Sequence, residues 1–287
     1  MTQRDGVEAL RSLRATGLRE SHLAARAAAD ALKKGGLDEA ERWAVTEQLC
    51  IAQLDCGMRD AAAETLEKIA QRFPASKFVR TRRLEGYLAE ARGDVEEAGK
   101  VYAELVGEPQ LDGGTNSDIV AMKRQAALMR SAGDYNAAVD QLNNILKISM
   151  CDTETWLELA DVYIRVNNLP YAAFCFEEVL LAMPWNFRLW TRAAETWYSA
   201  GEVLLARKYF AYAVELSRGS DDHDYASHVD VRALVGLCVA CRAVENAASK
   251  YLTTQEASTL NHDTYAWASA LLLKVIPSAN SLTADEH

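Results

Sequence analysis

The stretch "WLELADVYIRVNNLPYAAFCFEEVLLAMP", from Trp156 to Pro184, places large apolar residues, small residues and a final proline at regular intervals. In a unit of about 34 residues that starts at Thr153, the marked positions are 4, 7, 8, 11, 20, 24 and 32. They hold Trp156, Leu159, Ala160, Tyr163, Ala172, Phe176 and Pro184. This order is typical of the helix–turn–helix tetratricopeptide (TPR) repeat.

The spacing has a physical cause. Positions 4, 7, 8 and 11 share one face of the first helix, and positions 20 and 24 face them from the second helix. Small residues at positions 8 and 20 let the two backbones approach each other, while the larger residues fill the remaining space. The proline at position 32 ends the second helix because it cannot continue the backbone hydrogen bonds.

The same pattern recurs along the chain. Units that start at Trp43, Val79, Ile119, Thr153 and Phe187 each have alanine at position 20 and a bulky residue at position 24. The pairs are Ala62 and Leu66, Ala98 and Tyr102, Ala138 and Leu142, Ala172 and Phe176, and Ala206 and Phe210. We therefore predict an all-α fold, a TPR right-handed α-solenoid with capping helices.

Position 27 departs from the usual pattern. Alanine is common there, but four units have a larger residue, including Ile69 and Leu105, and only the unit that starts at Phe187 has alanine. We expect the units with larger residues to pack less closely against their neighbours.

The predicted domains follow from these units. Residues 1–40 form an N-terminal segment with a capping helix at Ser21–Lys34, and residues 277–287 form a flexible tail. The solenoid occupies residues 41–276, with units near 43–76, 79–112, 119–152, 153–186 and 187–220 and a partial unit at 229–276, in which Gly236 takes position 8. Two polar loops interrupt it: "DGGTNS" (Asp112–Ser117) and the acidic segment 218–228.

Composition excludes several classes of function. The chain has 287 residues, of which 49% are apolar and 25% charged, as in folded proteins, and its net charge is −10. This charge disfavours non-specific binding to nucleic acid or to anionic lipid. No apolar run reaches the about 20 residues that a membrane span needs, and the N-terminus does not resemble a secretory signal. The six cysteines lie in helical patterns, which favours reduced thiols in the core.

No catalytic motif is evident. The sequence has no glycine-rich phosphate loop, no GxSxG and no HExxH, so we predict neither an enzyme nor a cofactor. Cys238 and Cys241 form a single CxxC within a predicted helix, which favours core packing over zinc binding. The acidic loop contains five possible metal ligands, for which a solvated loop is the simpler interpretation. They are Asp221, Asp222, His223, Asp224 and His228.

The chain resembles the subunit 2 family of the endoplasmic reticulum (ER) membrane protein complex. The resemblance rests on "QRFPASKFVRTRRLEGYLAEARGDVEEA", on "AAFCFEE" together with "ARKYFAYA", and on "VRALVGL", and it covers roughly Glu41 to Ile276. It implies a cytosolic scaffold, peripheral to the ER membrane, in a complex that inserts tail-anchored and multipass proteins. The implied partners are membrane-embedded subunits, through cytosolic loops or tails, and a soluble cytosolic subunit.

Candidate partner-binding residues lie on the first helices. Positions 2, 5, 6 and 9 usually line the concave surface of a TPR array. Here they are Arg80, Arg83, Tyr87, Lys123, Arg124, Glu154, Glu158, Asp161, Arg188 and Arg192. Two interpretations stay open: a solvated helix face, or a charge-banded groove for an extended peptide or partner loop.

An alternative function is a TPR adaptor or co-chaperone that grips the acidic C-terminal tail of a chaperone. Arg188 and Arg192 resemble one basic pair of such a carboxylate clamp. However, Glu158 takes the place of a central asparagine and would repel a carboxylate, and Ala127 replaces a second asparagine. The clamp therefore looks broken.

Overall fold

The computed structural model describes residues 3–107, 118–218 and 229–282, and within these ranges the regular structure is entirely helical. The predicted all-α class is thereby confirmed. Contacts divide the chain into two compact units, Met1–Gln141 and Leu142–His287. The predicted loop Asp112–Ser117 and almost all of the acidic segment 218–228, with its five possible metal ligands, lie outside the described ranges.

The first unit begins with two helices that precede the repeats. Its helices are α1 (Gln3–Thr16), α2 (Ser21–Lys34), α3 (Glu39–Asp55), α4 (Arg59–Arg72), α5 (Val79–Arg92), α6 (Val95–Val106) and α7 (Ile119–Ser131), and α8 (Tyr135–Ile148) contains the boundary between the units. The helix α2 has the predicted bounds.

The helix α1 was not predicted. It packs against α2 through Val7, Leu10 and Leu13, three buried residues with a three-residue spacing that is compatible with one helix face.

The second unit continues the repeats. Its helices are α9 (Thr153–Arg165), α10 (Leu169–Ala182), α11 (Phe187–Ser199), α12 (Val203–Ser217), α13 (Val231–Asn246), the short α14 (Ala248–Tyr251) and α15 (Gln255–Leu282). The last helix includes residues 277–282, which the predicted domains assign to the flexible tail.

Several first helices of the repeats begin where an acidic or amide side chain caps them, whereas α5 begins after Phe78 without a side-chain cap. Asp118 accepts hydrogen bonds from the backbone N–H groups of Val120 and Ala121, and Asn186 accepts one from that of Arg188. Such caps satisfy backbone donors that the first helical turn leaves without partners. They explain why α7 and α11 begin at the first residue of a predicted unit.

The alanines at position 20 form the centre of each helix pair. All five are fully buried, and the bulky residues at position 24 are at most 6% exposed. Two glycines at position 8 extend this packing. A Cβ atom on Gly86 would lie 2.5 Å from Cε1 of Tyr102, and one on Gly236 would lie 2.5 Å from Cζ of Phe210. Each glycine therefore leaves the space that an aromatic ring occupies.

Candidate partner-binding groove

Three of the predicted basic residues of the first unit are paired with carboxylates on neighbouring helices. Arg80 on α5 donates a hydrogen bond from Nε to Oε1 of Glu47 on α3 at 3.1 Å, and its Nη2 lies 2.6 Å from Oε2 in the same ion pair. Arg83 donates from Nε and Nη2 to Oδ2 of Asp118, at 3.0 and 2.6 Å, while Oδ1 of the same carboxylate caps α7. These contacts connect successive first helices rather than leaving the guanidinium groups free for a partner.

Arg124 on α7 belongs to a partly buried cluster. Its Nη1 donates to Glu90 Oε2 at 3.2 Å, and its guanidinium lies 4.6 Å from the centre of the Tyr87 ring. Glu90 Oε1 and the Tyr102 hydroxyl are both buried and have no hydrogen bond of ordinary geometry among the described residues. Burial raises the pKa of Tyr102, and the Glu90 carboxylate raises it further. The hydroxyl therefore stays protonated and is the donor available to Glu90.

The second unit repeats this arrangement. Arg192 on α11 forms an ion pair with Asp161 on α9, and its guanidinium lies 4.9 Å from the centre of the Phe176 ring. Arg232 on α13 donates to both oxygens of Glu195 on α11, at 2.5 and 2.6 Å, and these hydrogen bonds raise the pKa of Arg232. Both pairs connect consecutive first helices.

The remaining predicted residues have separate surroundings. Arg188 is exposed, and its guanidinium lies 5.7 Å from the centre of the Phe187 ring. Lys123, Glu154 and Glu158 also have interactions, so none of these three is without a partner.

The sequence analysis missed the carboxylates Glu47, Glu90 and Asp118 and the pair Glu195–Arg232. The separations along the chain contain a signal that would have found them. The arginine and carboxylate of each pair are 31 to 37 residues apart, close to the length of one repeat. Opposite charges one repeat apart on first helices therefore predict pairing.

Cavities open between successive first helices, including one of about 210 Å³ beside Tyr87, Glu90 and Arg124 and two larger ones. The first, of about 490 Å³, lies in the first unit between α3 and α5 and includes Ile69 of α4, one of the large residues at position 27. The second, of about 610 Å³, lies in the second unit between α11 and α13 and includes Phe210 and Gly236. Both have a glutamate–arginine pair among their lining residues.

The cysteines are free thiols, and several are buried in the helix pairs. Burial raises the pKa of both Cys50 and Cys175 to about 12, and that of Cys241 to about 11. Cys238 is half-buried, and burial raises its pKa too. These environments disfavour the thiolate, which is the form that attacks electrophiles or binds metal.

Neither a metal site nor a membrane span is found among the described residues. In residues 3–107, 118–218 and 229–282, no three His, Cys, Asp or Glu side chains come together in a way that fits a metal ion. Among the helices of the same ranges, none is both long enough and apolar enough to cross a membrane.

The repeated helix pairs and their ladder of ion pairs define a TPR protein, and solved structures agree. The chain is similar to pilF of Pseudomonas aeruginosa, with a TM-score of 0.52, 14% identity and coverage of 86% of this chain and 99% of that one. TTC0263, a thermophilic TPR protein of Thermus thermophilus, matches with a TM-score of 0.50, 17% identity and coverage of 68% and 98%. Likeness at this identity establishes the fold alone.

Sequence comparison identifies the kind of TPR protein. Residues 66–196 match the EMC2 TPR-like repeat domain. ER membrane protein complex subunit 2-A of Xenopus laevis is 34% identical over 69% of this chain and 61% of its own length. The Dictyostelium discoideum subunit 2 is 30% identical over 73% of this chain and 65% of its own length. The match thus spans about three fifths of the length of these relatives.

Proposed function

We propose that this chain is a non-catalytic scaffold subunit of the ER membrane protein complex and that it supports the insertion of tail-anchored and multipass proteins. The observation that carries the proposal is the match of its repeat domain to the EMC2 family, with relatives named as subunit 2 of that complex. The protein acts at the cytosolic face of the ER as a peripheral subunit. Its partners are membrane-embedded subunits and a soluble cytosolic subunit.

The first-helix faces supply the partner contacts. Within each unit, the ion pairs between successive first helices hold the helix faces in one arrangement, which reduces the entropy lost when a partner segment binds. Paired charges on such a surface still orient a partner, because the order of positive and negative groups along it favours one direction of binding. We assign this role to the ten first-helix residues, and expect an acidic loop or tail at the exposed Arg188 rather than at the arginines that carboxylates already neutralise.

Co-purification tests the proposal. The tagged chain is expressed in cells that lack their own subunit 2, and the other subunits of the complex are quantified by mass spectrometry beside the insertion of a tail-anchored reporter. The expected result is recovery of the membrane subunits and restored insertion. Recovery of heat-shock chaperones without subunits of the complex would contradict the scaffold and favour the TPR adaptor.

Charge reversal tests the surface. The double variant Lys123→Glu/Arg188→Glu changes one first-helix residue in each unit and spares the ion pairs of Arg80, Arg83, Arg124 and Arg192. The matched control is Lys68→Glu/Lys208→Glu, which changes exposed residues on the second helices α4 and α12. We expect the first variant to recover less of the complex than the control, and equal recovery would refute the assignment. Melting curves verify that both variants are folded.

Attachment to the membrane is tested separately. We expect the protein to sediment with ER membranes and to be released when the membrane subunits are depleted. Equal binding to protein-free liposomes would show that lipid, rather than a subunit, holds it.

A further inference from the structure

The cavity between α3 and α5 has the features of a socket for one large apolar side chain. Three aromatic rings line it: Trp43 of α3, and Phe73 and Phe78 of the connection between α4 and α5. Phe73 contacts both of the others edge to face, with ring centres 5.3 Å apart in each case. Aromatic edges and faces arranged in this way accept a further ring or a branched aliphatic chain.

The size and the exposed surface fit such an occupant. The volume of about 490 Å³ lies within the range of about 300–1,000 Å³ that is typical of ligand pockets. At its lining, Phe78 is 43% exposed and Val79 is 53% exposed, although both are apolar. A side chain inserted here would remove apolar surface from water on both partners, which is the main favourable contribution to such contacts.

The charges around the cavity select an acidic partner. Glu47 and Arg80 are both lining residues, and they neutralise each other in the ion pair described above. Lys77 is exposed, also lines the cavity, and has no ion-pair partner among the described residues. The net charge at the cavity is therefore positive, which attracts a carboxylate placed beside the inserted side chain.

The cavity of the second unit shows that this combination is specific to the first unit. Its lining includes Val231, Val235 and Val239 rather than a group of aromatic residues from a connecting segment. Its one basic lining residue, Arg232, donates hydrogen bonds to both carboxylate oxygens of Glu195. The cavity of the second unit is larger, but its lining has no net positive charge.

From these observations we propose that the α3–α5 cavity binds a bulky apolar side chain, preferably aromatic, carried by an acidic segment of a partner protein. The segment lies across α3 and α5 with its apolar residue inserted between Trp43 and Phe78 and a carboxylate near Lys77. This inference rests on the proposed function, because it specifies the chemistry of one contact between the scaffold and a partner protein.

The test uses 5-fluorotryptophan-labelled full-length protein and ¹⁹F NMR, with the Trp43 resonance assigned from the Trp43→Phe variant. The probe is an acetylated and amidated pentapeptide of acidic residues with a central phenylalanine. We expect a saturable shift of the Trp43 resonance. Replacing the phenylalanine of the probe by alanine should weaken binding at least about tenfold, the effect of losing one buried large side chain. Replacing the acidic residues by lysine should weaken it several-fold.

Two variants of the protein localise the effect. Ala44→Leu narrows the cavity from α3 and should weaken binding of the probe without lowering the melting temperature, whereas Ser199→Leu in the second cavity should leave binding unchanged. Lys77→Glu should weaken the acidic probe more than a probe with serine in place of the acidic residues. An unshifted Trp43 resonance, or equal binding by Ala44→Leu, would overturn the proposal. A shift produced by decanoate but not by the peptide would also overturn it, because the cavity would then be an acyl-chain site.

The outcome is separable from that of the proposed function. If the chain co-purifies with the complex but the probe does not move the Trp43 resonance, the cavity proposal fails and the scaffold stands. If the probe binds but no subunit of the complex is recovered, the cavity proposal stands and the scaffold fails.

Discussion

In two places in this protein a glycine leaves space for an aromatic ring of a neighbouring helix, and the two contacts have different surroundings. In the first unit, Gly86 and Tyr102 belong to the same repeat, and the ring is fully buried beside Glu90. In the second unit, Phe210 of one repeat packs on Gly236 of the next, and both residues also line a cavity of about 610 Å³.

The two contacts differ in how far the aromatic ring is able to move when the glycine is replaced. Tyr102 is fully buried, and moving its ring would disturb Tyr87 and Glu90, which border only a smaller cavity of about 210 Å³. Phe210 has open space on one side. Since the cost of overpacking depends on how far the neighbours are able to move, the same substitution should have unequal effects at the two glycines.

The largest effect is expected for Gly86→Ala. The added Cβ would lie 2.5 Å from Cε1 and 2.9 Å from Cζ of Tyr102. We expect the free energy of unfolding to fall by about 2 kcal/mol, within the range typical of overpacking, even after the gain of about 1 kcal/mol from alanine in a helix. Urea denaturation measures it. The double variant Gly86→Ala/Tyr102→Leu should regain part of the loss, and an absence of rescue would show that the ring is not the cause.

A smaller effect is expected for Arg124→Met, which removes the cation beside Tyr87 and Glu90. Glu90 then keeps a partly buried charge without its partner, so the variant should lose roughly 1 to 2 kcal/mol. The same denaturation experiment applies, with Arg188→Met as the matched control because Arg188 is exposed and its guanidinium lies over the Phe187 ring. Equal stability of the two variants would mean that the polar cluster adds nothing to the packing of the first unit.

For Gly236→Ala we expect a loss of about 1 kcal/mol or less. The added Cβ would lie 2.5 Å from Cζ and 2.7 Å from Cδ1 of Phe210, but the ring has the adjacent cavity to move into, and the helix gains from alanine. Measured beside Gly86→Ala, this variant tests the comparison directly. A loss as large as that of Gly86→Ala would show that the cavity provides no relaxation.

The smallest effect is expected for Tyr102→Phe, which deletes only the buried hydroxyl. Because that hydroxyl lies beside Glu90 without a hydrogen bond of ordinary geometry, its removal should cost only about 0.5 kcal/mol, the lower end of the usual net value of one hydrogen bond. An increase in stability would instead show that the hydroxyl is unsatisfied in the folded protein. Tyr135→Phe, a change of the same kind outside the glycine contacts, serves as the control.

Much of the fold was predictable because repeat periodicity is a local property. The alanines at position 20 and bulky residues at position 24 indicated which faces of the helices would meet, and all of them are buried. The helix α1 was missed because three apolar residues with a three-residue spacing are a weak signal outside the repeats. The two polar loops lie outside the described residues, so their predicted structure stays a prediction.

The candidate site was less predictable. Position numbers correctly assigned Arg80, Arg83 and Arg124 to the first helices, but they did not show that each would bind a carboxylate of another element. Ion pairing depends on the distance between helices. That distance is influenced by the residues at position 27 and by the lengths of the connecting segments.

By itself, the sequence determined the helical class, the repeat length and the identity of the buried face, because these follow from the geometry of a single helix and its nearest neighbour. Only the tertiary structure decided which charges are neutralised and where cavities remain. Ion pairs and voids depend on separations of a few ångströms between helices about one repeat apart, and no residue pattern along one helix specifies those separations. The unpaired Lys77 beside an aromatic cavity is one such outcome of tertiary packing.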